Sequence, residues 1–114
     1  MINIICDMFR CHNDNGELTF DVHGISVSGH ADSAPKGKDL VCAAVSAVVV
    51  GGANAIKEFE KEDHKSVLTI KLKKGYASFQ GKEDYHDILK TLYFMLKTIE
   101  ESNPDFVKIK ENYN

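Results

Sequence analysis

Hydrophobic and polar positions along the chain fall into alternating stretches separated by turn signals and two longer stretches with helical spacing. Residues 2–11 read as a first strand. Asn13-Asp14-Asn15-Gly16 then marks a hairpin, because Asn-Gly tolerates the positive φ angles of tight turns. The second strand returns over 17–28. Along it Leu18, Phe20 and Val22 point one way and Ile25 and Val27 the other, so the alternation changes face around His23-Gly24 and predicts a bulge, with His23 in a structural role. From position 40 to near 61, small and apolar residues run on without strand-like alternation and predict a helix. Residues 65–73 alternate again, Lys74-Gly75 turns, and 76–80 pairs back as a second hairpin. A second helix is expected over 84–101, with Ile88, Leu89, Leu92, Tyr93, Leu96 and Ile99 on one face and Glu83 and Asp84 near its positive end. Pro104 closes it, and 106–110 can add a short last strand. The expected fold is α+β: a single-domain, two-layer sandwich over 1–114 in the order β-β-α-β-β-α, with that short C-terminal strand as an addition.

Two glycines interrupt the first helix. Each costs about 0.5 to 1 kcal/mol relative to alanine in a helix interior, so Gly51-Gly52 weakens the helix unless close packing offsets it. Ala43, Ala44, Ala47, Gly51 and Ala55 supply a thin-walled face for such an approach, to the sheet, to the second helix or to a partner subunit.

Composition narrows the classes. At 114 residues, one domain can bury about two thirds of its unfolded surface, enough for a core without staples. The net charge of -3 argues against a nucleic-acid partner, and the basic cluster Lys71, Lys73 and Lys74 reads as a solvated strand face. The apolar run from Leu40 to Ala53 falls short of the roughly 18 residues of a membrane span, and the first residues lack the basic flank of a signal peptide. No membrane association is expected, and the cytoplasm is the expected location. Cys6, Cys11 and Cys42 make an odd set without disulfide spacing, as suits a reducing compartment. A zinc protein would draw on Cys6, Cys11, His12, His23 or His30. Cys6 and Cys11, five apart on a strand, face opposite ways and no CxxC pair exists, so no metal and no other cofactor is expected.

The candidate chemistry lies across one connection. Gly29-His30-Ala31 ends the second strand, and Gly37-Lys38-Asp39-Leu40-Val41-Cys42-Ala43-Ala44-Val45-Ser46 opens the helix. A thiol and an imidazole so placed are the smallest kit for cysteine nucleophilic catalysis. Asp39 is a good N-cap, which puts Cys42 at the third helical position, where free N–H groups and the helix dipole favour a thiolate. The same N–H groups, those of Cys42 and Ala43, are candidates for an oxyanion hole. Ser46 lies one turn beyond Cys42 on the same face. Taken singly, each has an ordinary structural role: a small core thiol, a strand-end histidine, a cap, a packing serine. The connection over 32–38 has no large apolar anchor, and a loop that orders on peptide binding would bring His30 to Cys42.

Gly29-His30-Ala31 and Gly37-x-Asp39-Leu40-Val41-Cys42-Ala43-Ala44-Val45-Ser46 resemble the signature of the bacterial ribosomal-processing cysteine protease family, Prp, and the resemblance extends over nearly the whole chain. It implies a small cytoplasmic homodimer that removes an N-terminal extension from large-subunit ribosomal protein L-twenty-seven, cutting after an aromatic residue. By position, His30 and Cys42 become the dyad, while Gly29, Asp39, Ala43 and Ser46 fall in supporting positions. The chain departs from the family pattern in its second strand, which is longer, with His23-Gly24 inserted. The mechanism expected is attack of the Cys42 thiolate on a peptide carbonyl, with His30 as base and then acid, followed by hydrolysis of the thioester. Asp39 could orient the imidazole, in competition with its cap role. A non-catalytic ribosome-associated binding module, and a thiol-dependent acyl transferase or redox sensor, are the competing readings.

Overall fold

A computed structural model describes residues 1–29, 39–65, 68–81 and 85–114. His30, the connection 32–38, Glu83 and Asp84 lie outside the described residues. The order is β1 (Ile2–His12), β2 (Leu18–Gly29), α1 (Leu40–Glu62), β3 (Leu68–Lys73), β4 (Tyr76–Gly81), α2 (His86–Ser102) and β5 (Val107–Tyr113). The α+β fold expected from the pattern is the one formed. Its five strands lie in the order β3-β4-β2-β1-β5.

Strand period explains which residues enter the core. In β1, Ile2, Ile4, Cys6 and Met8 are buried while their neighbours are not, as a half-covered sheet requires. The β1–β2 turn is held by the Asn13 side chain, whose Oδ1 accepts from the backbone N–H groups of Asn15 and Glu17, both at 3.0 Å. β2 then pairs antiparallel with β1 until the register shifts, with Asp7 opposite Gly24 and Met8 opposite Val22. His23 is the extra residue. Across it Val22, Ile25 and Val27 all reach the core, so the bulge converts what looked like a change of face into one continuous apolar face. Leu18, beyond the core, is 68% exposed. The His23 ring stacks on Phe9 at 3.9 Å and on His86 at 4.0 Å. Burial, followed by the neighbouring His86, holds the His23 pKa below the ordinary imidazole range.

The last strand is longer than its pattern suggested. β5 occupies seven residues rather than the five of 106–110, and it pairs in parallel with β1. α2 supplies the crossover, and its Glu100 Oε2 accepts the Ile109 backbone N–H at 2.6 Å. The Tyr93 hydroxyl donates to Glu111, a second tie between α2 and β5. Leu89, Leu92, Tyr93 and Leu96 are the buried positions of α2, at helical spacing. The helix begins at His86 after Tyr85, whose φ of 66° is left-handed.

α1 buries Val41, Val45, Val48, Val49, Gly52, Ala53 and Ile56. Its two glycines do different things. A Cβ on Gly52 would stand 2.6 Å from Leu92 Cδ1, so Gly52 admits α2, whereas a Cβ on Gly51 would meet nothing within 4 Å. Of the thin-walled face, Ala43, Ala47 and Gly51 are exposed and Ala44 and Ala55 half-buried, and the buried contacts within the chain fall to the valines. The membrane argument also needs correction. The apolar stretch continues through Ala55-Ile56 to the first charge at Lys57, and by length and composition α1 is long and apolar enough to cross a membrane. A buried stripe of Val41, Val45, Val48, Val49, Ala53 and Ile56 joins the shared core, and 33% of that apolar stretch is buried.

Candidate active site

Cys42 stands at the third position of α1, where the sequence placed it. Asp39 is the N-cap, with φ -82° and ψ 95°, and its Oδ1 accepts the Cys42 backbone N–H at 3.0 Å. A side-chain cap of this kind contributes about 1 kcal/mol to the helix. The Asp39 carbonyl accepts the Ala43 N–H at 3.1 Å, the first bond of the helix. Both amides suggested for an oxyanion hole are therefore already used: the cap that positions Cys42 consumes its N–H, and helix propagation consumes that of Ala43.

The half-buried Cys42 opens into an apolar cleft of about 200 Å³ at one end of the sheet. Ser46, Val45, Val49 and Val50 continue the α1 wall, and Ile2, Val27 and Gly29 form the floor. Leu72, Lys73, Gly75, Tyr76 and Ala77, from the turn of the β3–β4 hairpin, close the far side. Three of the sequence-predicted residues, Gly29, Cys42 and Ser46, thus line one cleft. Asp39 serves it through the cap, and Ala43 is exposed and outside the lining. His30 lies outside the described residues.

Gly29 is confined to its identity by the backbone. Its φ is +92°, and a Cβ there would stand 2.3 Å from the Met1 carbonyl oxygen. Its own N–H donates to the Gly75 carbonyl at 3.0 Å, which pins the hairpin turn to the end of β2. The hairpin wall was missed by reading the sequence alone. Leu72 and Tyr76 carry the signal of apolar residues flanking a Lys-Gly turn, 43% and 41% exposed, but their partner is thirty residues away.

The thiols are not equivalent. Cys6 is fully buried, and burial, reinforced by Glu111 and Asp7, pushes its pKa up to about 12. Cys42 is the thiol that lines the cleft, and no group of three metal-ligating side chains surrounds it among the described residues. Such a group occurs elsewhere, at the bulge of β2.

Comparison with known proteins places the chain among relatives of one family. A sequence profile of cysteine protease Prp matches residues 10–108. The ribosomal processing cysteine protease Prp of Bacillus subtilis is 31% identical over 111 residues, spanning 90% of this chain and 93% of that protein. That of Mycoplasma pneumoniae is 32% identical over 100 residues, spanning 83% and 93%. Among solved structures, the essential ribosomal processing protease Prp from S. aureus in complex with a covalently linked product peptide superposes with a TM-score of 0.75 at 28% identity, covering 98% of this chain and 100% of that one. The same protease in complex with a substrate peptide gives a TM-score of 0.69. With the thiol at a capped helix start, the cleft beside it and this match over most of its length, the chain belongs to the Prp family of ribosomal processing proteases and is a cysteine protease.

Proposed function

We propose that this protein is the endopeptidase that removes the N-terminal extension of large-subunit ribosomal protein L-twenty-seven during ribosome assembly, with Cys42 as nucleophile and His30 as its base. The observation that carries the reading is the shared cleft: Cys42 and Gly29, the residue covalently bonded to His30, line the same apolar cavity. Its walls of Val45, Val49, Leu72 and Tyr76 suit the large apolar side chain expected before the cut. A covalently linked product peptide in the S. aureus relative supports a covalent route.

His30 takes the Cys42 proton, and the thiolate attacks the scissile carbonyl; the oxyanion needs donors, and the first-turn amides of Leu40 and Val41 have no helical carbonyl ahead of them. His30 then protonates the leaving amine, and water hydrolyses the thioester. Ser46, on the same wall as the sulfur, holds substrate backbone. The working form is a cytoplasmic homodimer without a membrane or nucleic-acid partner; Leu40 and Val50 of α1 and Phe94 and Met95 of α2 are the exposed apolar residues available to a second copy.

The test is incubation of wild type and Cys42→Ala with a peptide spanning the extension junction, read by mass spectrometry. One discrete cut by wild type, and a loss of at least about 1,000-fold in the variant with unchanged circular dichroism, is expected. Cleavage by Cys42→Ala at the wild-type rate overturns the mechanism.

A further inference from the structure

We propose that Asp21, His23 and His86 form a binding site for a divalent transition-metal ion of the zinc type, at the opposite end of β2 from the Cys42 cleft. The cysteine spacing that argued against zinc has no bearing on this set, which uses two imidazoles and a carboxylate, a ligand combination suited to zinc and its first-row neighbours.

The fold assembles the three from distant parts of the chain. Asp21 and His23 are two apart on β2, on either side of Val22, and the bulge leaves His23 without a cross-strand partner in β1. Bulges of this kind re-aim a side chain. His86 comes from the first turn of α2, set there by the left-handed Tyr85, whose hydroxyl donates to Asp63 Oδ2 at 2.7 Å. One ligand atom from each of the three residues lies within 4.8 Å of the other two.

The three side chains are gathered but not closed by hydrogen bonds among themselves, which leaves room for an ion. His86 Nδ1 stands 4.0 Å from Asp21 Oδ2, too far for a hydrogen bond. His86 Nε2 is buried and has no hydrogen-bond partner among the described residues, an expense that a native structure ordinarily avoids. The His23 and His86 rings lie 4.0 Å apart at an interplanar angle of 12°, which sets an imidazole nitrogen of each within reach of Asp21. Side-chain exposures of 18% for His86 and 41% for Asp21 leave the group reachable from solvent.

Tetrahedral zinc with bonds near 2.0–2.2 Å sets its ligands about 3.3 Å apart. Closure from separations of up to 4.8 Å takes movements of up to about 1.5 Å among the three side chains and a tilt of one imidazole out of the parallel stack, so that the lone pairs converge. Water completes the coordination. Bound metal would then tie the start of α2 to the β2 bulge.

The test is isothermal titration of the full-length chain with zinc chloride, together with cobalt chloride absorption and imidazole NMR of the wild type. Expected are one equivalent of zinc, binding at least tenfold weaker in Asp21→Asn and in His86→Gln, and a Tm raised by about 10 °C at a hundredfold excess over Kd. The cobalt form should show no thiolate-to-metal charge-transfer band, and the His23 and His86 resonances should move together while those of His12 and His64 stay in place. Absence of saturable zinc binding overturns the proposal. So does binding that both variants leave intact, or a thiolate band showing that the metal sits on cysteine. The wild-type spectra decide the matter even if a variant fails to fold.

Discussion

The two ends of β2 gather residues from the rest of the chain in opposite ways. At the Gly29 end, Gly29 and Cys42 reach one cleft across a single connection, from a strand terminus to the helix start that follows it, and the β3–β4 turn closes the far side. At the His23 end, Asp21 and His23 meet an imidazole sixty-three positions further along the chain. That meeting depends on the bulge, on the β4–α2 connection and on Tyr85's left-handed backbone. The first site is local and the second is topological, and three changes sharpen the contrast.

Gly29→Ala should have the largest effect at neutral pH. Positive φ and a Cβ only 2.3 Å from the Met1 carbonyl force the end of β2 to move, at a cost of about 3 kcal/mol, with loss of peptide cleavage as the cleft floor shifts. Urea denaturation checks it. A variant as stable and as active as wild type would show that the close approach at this end is dispensable.

Between the two ends, Cys6 pairs with Ile25 and provides a reference thiol. The folded thiol keeps its proton up to about 12, whereas the unfolded one releases it near 9.0. Above pH 9 the unfolded chain therefore loses a proton that the folded chain retains, which favours unfolding. The stabilisation is complete below pH 9 and is lost as pH rises toward 12, by up to about 4 kcal/mol. Denaturation midpoints measured from pH 8 to 11 should fall more steeply in wild type than in Cys6→Ala. Equal slopes would mean that the thiol does not report on burial. At neutral pH, iodoacetamide should label Cys42 and leave Cys6 untouched until the protein unfolds.

The smallest effect separates two uses of one carboxylate. Asp39→Ala should cost about 1 kcal/mol through the lost bond to the Cys42 N–H, while Asp39→Asn, an equally good cap, should keep stability within a few tenths. If capping is the whole role, Asp39→Asn also keeps cleavage within about threefold of wild type. A tenfold fall in that variant at unchanged stability would assign the charge to the imidazole instead.

Much of the local structure was legible. The Asn13–Gly16 turn, the cap at Asp39, the third-position thiol and the bulge at His23 each follow from a few neighbouring residues whose backbone preferences agree. The errors arose where local cues had more than one outcome. Val22 and Ile25 looked like opposite faces, yet one extra residue put them on the same one. The small residues Ala43, Ala47 and Gly51 looked like a packing face, yet within the chain the buried positions fell to the valines beside them. The Cys42 and Ala43 amides looked free for an oxyanion, yet cap and helix had already engaged them.

The sequence alone determined the α+β class, the positions of six of the seven elements with a last strand begun correctly but cut short, and the Cys42 thiol at a capped helix start, because period, turn chemistry and capping act within a few residues. Only the tertiary structure decided that β5 would lie parallel beside β1, that the β3–β4 turn would wall the Cys42 cleft, and that His86 would stack on His23. Those arrangements depend on which apolar surfaces find one another once the chain collapses. That choice is made among segments far apart in sequence, and no short stretch of residues records it.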